Sequence, residues 1–236
     1  MFLSVLVPVY NGARFLETCL SQLHDTLGER PYSSEIVVCE DGSTDGTKQL
    51  IERLKGQYDD IRFIQSDSRL GRGGALRRAA GEARGEIVLY LDVDMATHLT
   101  NLDDVVEAVS NGSDLVTGSR YHPESRVRRT VPRLMASKVY NGLVRAALSS
   151  RVKDHQCGFK AFKSHALEAL LADVRSNHWF WDTEVLVRAQ HRGYRVEELP
   201  VVWEENSEGT TVSFRRDIPY FLRETFRLRR ELRKGG

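Results

Sequence analysis

The chain predicts a single α/β domain built on a doubly wound, mostly parallel sheet. Three observations carry this. Short apolar runs alternate with helical patterns through residues 1–120. Polar, turn-forming clusters follow the runs, where the carboxyl ends of parallel strands would lie. No Gly/Ser-rich or Pro-rich linker divides the 236 residues, a length that fits one large domain or two small ones.

The first unit is "FLSVLVPVY", an apolar run interrupted by Pro8, then the Asn11-Gly12 turn and a helical pattern carrying Phe15, Leu16, Cys19 and Leu23. A strand at 35–39 opens the second. Its turn is "EDGSTDGT", with Ser43 or Thr44 expected to cap a helix whose apolar positions include Leu50, Ile51 and Leu54. "IRFIQSD" supplies a third strand, followed by the glycine-rich "RLGRGGALRRAAGEARG" and its helix. The fourth strand, "EIVLYLDVD", is apolar without alternation, as expected for a strand covered by helices on both faces. "NLDDVVEAVSNG" and "SDLVTGSRY" add a helix and a strand. The second half is less regular: helices are expected at 133–149, before "KDHQCGFKAF", and near 164–173, before "NHWFWDTEVLVRAQHRG", and "YRVEELPVVWEE" reads as one strand. This half is expected to complete the same domain.

Composition excludes several classes. A charged fraction of 28%, an apolar fraction of 41% and a net charge of +1 describe a globular protein, not a disordered or nucleic-acid-coating one. Three cysteines, Cys19, Cys39 and Cys157, are too few and too scattered for a disulfide framework or a CxxC site, which fits a reducing cytoplasm. The apolar start has no basic flank, and no window is long enough to span a bilayer, so any membrane contact is expected to be peripheral.

The fourth strand ends in Asp92-Val93-Asp94. Two carboxylates one residue apart on a turn can present oxygens to one hard cation, and Mg²⁺ favours few carboxylates plus ligand phosphates. In isolation such a pair can equally cap or solvate a loop. Its position beyond a buried strand, downstream of the other polar turns, favours the cation.

"VPVYN", "EDGSTDGT", "GRGGAL", "DVD" and "GSRY", in this order and spacing, resemble the family 2 glycosyltransferases of the GT-A fold. "KDHQCGFKAF" and "WFWDTE" are most similar to the dolichyl- and polyprenyl-phosphate mannose and glucose synthases. The resemblance implies a metal-dependent, inverting transfer of a hexose from a nucleotide sugar, such as GDP-mannose or UDP-glucose, to a polyprenyl or dolichyl phosphate. It divides the chain into a nucleotide-sugar half (1–120), an acceptor half (121–214) and a C-terminal helix (215–236). Pro8, Tyr10, Glu40 and Asp41 would line the nucleotide pocket, although Asp-Gly also forms turns. Gly71, Gly73 and Gly74 would allow close backbone approach, with Arg72 placed to reach the diphosphate. Mg²⁺ or Mn²⁺ would sit at Asp92 and Asp94, Asp94 directly and Asp92 through water, unless Asp92 holds sugar hydroxyls instead. Related synthases often carry Gln where this chain has Ala96.

An acceptor that is already a phosphate monoester needs basic residues more than it needs a strong base. Arg120, Arg126, Arg128, Arg129 and Arg133 stand against a single Glu124. By the resemblance, Arg120 and Arg133 grip the lipid phosphate; the other three serve equally as a solvated loop. A hydroxyl acceptor would need a base, with Asp154 ahead of Asp182 and Glu184, although Asp182 suits a helix cap as well. His155 and Cys157 lack a matching ligand pair for zinc. The family commonly has Gly-x-Ser-Lys where this chain has "EGTTV", with Thr211 in the place of the lysine, so Arg215 or Arg216 would substitute for it.

Residues 215–234 carry eight basic against three acidic side chains. Helical spacing puts Ile218, Phe221, Leu222, Leu228 and Leu232 on one side and Arg216, Arg223, Arg227, Arg230 and Lys234 opposite. Such a helix can lie on anionic lipid or pack on the core. Nucleic acid is not expected, because no aromatic platform accompanies the charge. Two other functions fit the same residues: transfer to a sugar or other hydroxyl, and a catalytically silent nucleotide-sugar binder that partners a membrane subunit.

Overall fold

The computed structural model describes residues 1–205 and 214–234. Its elements run β1 (Leu3–Val9), α1 (Ala13–Gly28), β2 (Ser34–Glu40), α2 (Thr47–Leu54), β3 (Ile61–Gln65), α3 (Arg72–Glu82), β4 (Ile87–Leu91), α4 (Leu102–Ser110) and β5 (Leu115–Gly118). They continue with β6 (Arg126–Arg128), α5 (Val131–Leu148), β7 (Phe159–Lys163), α6 (Ser164–Leu171), α7 (Trp181–His191), β8 (Val196–Leu199), β9 (Val202–Glu204) and α8 (Phe214–Lys234).

Among the described residues, seven strands form one sheet in the order β3-β2-β1-β4-β7-β5-β8, and β6 pairs with β9 apart from it. β7 runs antiparallel to β4 and β5; the other pairs are parallel. The second half therefore contributes an inserted strand, β7, and an edge strand, β8, which join the two halves through one sheet. Period-2 alternation builds a core on each face. Val5, Val7, Val9, Ile36, Val38, Leu89 and Leu91 pack with α1 and α4 on one side. Leu6, Val37, Cys39, Val88 and Tyr90 pack with α3, α6 and α7 on the other. α1 buries Leu16, Cys19, Leu20, Leu23 and Leu27, the three-and-four spacing of one helical stripe, each leucine contributing roughly 1.5–3 kcal/mol.

Pro8 shapes the site. The β1–β2 ladder runs to Val9–Glu40, but the β1–β4 ladder stops at Leu6–Tyr90, because proline offers no N–H to a neighbour. Strand order reverses between β1 and β4, so a crevice opens at their carboxyl ends.

Three expectations change. "YRVEELPVVWEE" is two strands: Pro200 breaks the run, β8 joins the main sheet and β9 joins β6. α2 starts at Thr47 after Gly46, at φ +95°, and neither Ser43 nor Thr44 caps it. Those polar groups instead tie the first two turns together: Asn11 N–H donates to Ser43 Oγ at 2.9 Å, Thr44 N–H to Asn11 Oδ1 at 2.8 Å and Ala13 N–H to Asp45 at 3.1 Å. α8 does not divide into one apolar and one basic side. Phe221 and Leu228 are buried against Val144, Leu148, Phe180 and Val187, while Ile218 and Leu222 face outward.

Candidate active site

The crevice holds about 430 Å³ and is lined by Pro8, Tyr10, Arg14, Asp41, Arg69, Arg72, Asp92, Asp94, His178 and Trp179, among others. Its floor comes from the ends of β1, β2 and β4, and its wall from the start of α3 and the loop before α7. Asp41 accepts N–H bonds from Leu70 and Gly71 and so holds the glycine-rich loop; burial raises its pKa, against those bonds. Glu40 does not line the crevice. It is fully buried, accepts from Ser43 N–H, and lies 3.9 Å from Lys48 Nζ. The Arg69 guanidinium covers the Tyr10 ring at 3.8 Å.

The glycines serve packing. A Cβ on Gly71 would lie 2.3 Å from His178 Nδ1, and one on Gly73 would lie 2.7 Å from Trp181 Cβ. They let α3 seat against the loop before α7, which delivers Arg72 to the crevice.

The Asp-Val-Asp turn is held by Met95 at φ +53°, by Met95 N–H on Asp92 O at 3.1 Å and by Ala96 N–H on Asp94 Oδ1 at 3.1 Å. Burial, and then the charge of Asp92, push the Asp94 carboxyl up to about 6. Two crowded carboxylates fit a divalent cation, with phosphates completing its shell. Among the described residues, no group of three or more His, Cys, Asp or Glu is arranged to hold a metal, so the protein would supply few ligands.

Arg72 joins this turn to a buried network. It donates to Asp92 Oδ1 from Nη2 at 2.7 Å and from Nε at 3.0 Å, and to Asp182 Oδ2 from Nη1. Asp182 also accepts from Tyr90 Oη and from Lys160 Nζ, the latter at 2.9 Å. Burial would raise the Asp182 pKa, but Arg72 and Lys160 bring it below the usual range. Asp182 is thus a buried anchor inside the first turn of α7, making no cap hydrogen bond.

Asp154 is not placed as a base. It is fully buried and holds Arg120 through both oxygens, at 2.7 and 2.8 Å. Burial works to raise its pKa, yet Arg120 pulls it down to about 2. The same pair occupies Arg120. Arg133 pairs with Glu205, and with Arg128, Arg129 and Thr130 these residues line a second, open pocket of about 360 Å³. Nε and Nη1 of Arg129 are buried with no hydrogen-bond partner among the described residues. Burial and the charge of Arg120 lower the Arg129 pKa, outweighing the nearby carboxylates of Asp154 and Glu205. The β6–β9 pair that frames this pocket is stitched to the chain after Asp94: Thr97 bridges Trp203, and Glu204 N–H donates to Ala96 O at 2.9 Å. His155 is a core residue, held by Asn141 and Ser150, with burial lowering its pKa to about 3.

Arg215 and Arg216 have side chains outside the described residues, as do Thr211 and the rest of "EGTTV". Arg227 of α8 bonds Glu184 of α7 at 2.8 Å, fastening the two helices, and Glu231 of its own helix at 3.0 Å. The same helix leaves Ile218, Leu222 and Phe226 exposed at four-residue spacing, as α5 leaves Val131, Met135 and Val139. No helix among the described residues is long and apolar enough to cross a membrane. The structure thus brings Pro8, Tyr10, Asp41, Arg72, Asp92 and Asp94 together and sets Glu40, Asp154 and Arg120 aside. Sequence reasoning missed Arg14, Arg69, His178, Trp179 and Lys160. Arg14 and Arg69 border motif turns and carried a signal, whereas His178 and Trp179 reach the crevice only through packing.

Solved structures share this fold. Glucosyl-3-phosphoglycerate synthase from Mycobacterium tuberculosis, in complex with Mn²⁺, UDP and glucosyl-3-phosphoglycerate, superposes with a TM-score of 0.71 at 18% identity, over 96% of this chain and 78% of that one. Residues 1–349 of S. aureus TarS superpose at 0.62 and 20% identity, over 98% and 65%. In sequence, glycosyltransferase AglD of Haloferax volcanii is 49% identical over 91% of this chain and 35% of its own length. The dolichyl-phosphate beta-glucosyltransferase of Saccharomyces cerevisiae is 31% identical over 87% and 67%. The chain thus spans about a third of the Haloferax relative and about two thirds of the yeast one. The model of the glycosyl transferase family 2 matches residues 4–171, from β1 through α6, and with the GT-A fold and the crevice at its strand ends it identifies the chain as a member of that family.

Proposed function

We propose that the chain transfers a hexose from a nucleotide sugar to a polyprenyl or dolichyl phosphate at a membrane surface. The observation that carries this reading is the pairing of two anion-seeking pockets. One is the crevice with the paired aspartates. The other is the basic pocket of Arg128, Arg129 and Arg133, from which α5 runs on as an exposed apolar stripe. The naming of the yeast relative for a dolichyl phosphate supports the acceptor.

Tyr10, Asp41, Arg69 and Arg72 would bind the nucleoside diphosphate, and Asp92 and Asp94 would hold Mg²⁺ or Mn²⁺. That ion would supply charge stabilisation for the departing diphosphate. Arg129, with its unmet donors, would orient the acceptor phosphate, assisted by Arg128 and Arg133. An oxygen of that phosphate attacks the anomeric carbon from the face opposite the diphosphate. The new C–O bond forms as the bond to the diphosphate breaks, and the electron pair leaves with the nucleotide. The attacking oxygen is already anionic and asks no residue for proton removal, which agrees with Asp154 being locked on Arg120. A hydroxyl acceptor would need the base that this pairing withholds.

Transfer of labelled sugar from UDP-glucose or GDP-mannose into the organic phase, with a short polyprenyl phosphate as acceptor, tests the reading. Lipid product is expected, and Arg129→Met should raise the acceptor KM about tenfold, the worth of a charge-assisted contact. Label moving only to water-soluble acceptors contradicts it.

A further inference from the structure

In this structure the positive charge beside the paired aspartates comes from the protein. The fork of Arg72 takes Asp92 Oδ1 through two nitrogens, at 2.7 and 3.0 Å. The other carboxylate oxygen, Oδ2, is turned to Gly158, so closely that a Cβ there would lie 1.8 Å from it. The direction in which Asp92 can offer a lone pair to the crevice is therefore the one the guanidinium occupies. On its other side Arg72 meets Asp182, whose charge is already shared by fully buried Lys160 and by Tyr90 Oη. That sharing weakens the hold of Asp182 on Arg72 without abolishing it. The guanidinium also lies 5.2 Å from the Tyr90 ring and 5.5 Å from the Trp179 ring, both suited to a cation in more than one pose.

We propose that Arg72 is a displaceable counter-ion. It neutralises Asp92 while the crevice is empty, surrenders Oδ1 when a divalent cation arrives, and turns to the phosphates of the donor. Lys160 is the positioning residue that keeps Asp182 from retaining it. The proposal rests on the nucleotide-sugar reading above and adds an exchange of partners to it. A guanidinium and a divalent cation compete for the same carboxylate oxygen, so each weakens the other there. Once a diphosphate is present they act together, since both bind it.

The test is a sign reversal. Mn²⁺ alone is titrated into the whole chain and its Arg72→Met variant by electron paramagnetic resonance, and UDP or GDP is then titrated by calorimetry at saturating Mn²⁺. The variant should bind Mn²⁺ alone severalfold more tightly than wild type. It should bind the nucleoside diphosphate about tenfold or more weakly, as loss of a charge-assisted phosphate contact implies. Mn²⁺ binding no tighter than wild type overturns the exchange and leaves the nucleotide reading standing. No Mn²⁺ uptake by either protein, alone or together with UDP or GDP, overturns both. A readout on wild type needs no change at Arg72: Mg²⁺ alone should alter the emission of Trp179, and Trp179→Phe should abolish that change. Emission indifferent to Mg²⁺ contradicts the displacement.

Discussion

At the residue scale, the pair Arg120–Asp154 shows how burial decides a role. The two charges are out of water and bonded through both carboxylate oxygens, an arrangement in which removing one partner strands the other. Asp154→Asn should therefore cost about 3–5 kcal/mol, read from the urea midpoint. The double replacement Arg120→Met with Asp154→Leu should cost less than either single change. The folded-state pKa lies below the ordinary value, falling from 3.8 to about 2, so the contribution is full above about pH 4 and is lost as pH falls through 2. It amounts to about 2 kcal/mol. Stability that is flat from pH 5 to 2 in wild type contradicts the pairing. The sequence showed both residues in motifs, Arg120 read as a phosphate ligand and Asp154 as a base, but which charge meets which is a property of tertiary contact. The same holds for Arg129, whose unmet donors become visible only once the fold sets it beside Trp203 and Glu205.

At the element scale, α3 is placed by its glycines. Two alanine replacements in this one helix should act in opposite directions. Gly73→Ala meets Trp181 and the carbonyl of Ser176 within 2.8 Å and should lose about 1–3 kcal/mol. Gly81→Ala meets nothing within 4 Å and should gain up to about 1 kcal/mol from helix propensity. Chemical denaturation of the two variants checks both signs, and a loss in each would show that the clash is not the cause. The elements of the first half were legible because period 2 and period 3.6 alternate there without interruption, β4 reading as doubly covered and being so. The place of β7 was not legible. Antiparallel insertion between β4 and β5 depends on pairings 43–76 residues apart in the chain, to which no local pattern points. Pro200 was in plain view, and giving it its full weight would have split the last strand pair correctly.

At the scale of the whole molecule, α5 and α8 pack on each other and each leaves an apolar row outside, its members 36–69% exposed. Exposed Arg223, Arg230, Arg233 and Lys234 accompany the α8 row. Apolar rows with basic residues beside them suit an anionic lipid surface. The two roles read from its sequence do not exclude each other, because its apolar residues divide between an inner face packed on the core and an outer face. Changing Met135, Val139 and Phe226 to Ser should lower partitioning into phosphatidylserine vesicles by on the order of tenfold or more. Unfolding midpoints should stay within about 0.5 kcal/mol of wild type, because these side chains are at the surface. Unchanged partitioning would remove the membrane surface from the account.

Donor binding is the central claim, and calorimetry of UDP and GDP tests it most directly. Titrations are run with Mn²⁺, after EDTA, and on Asp94→Ala. The account predicts binding that requires the cation and is lost in Asp94→Ala while the variant remains folded. Equal affinity in all three conditions would contradict it.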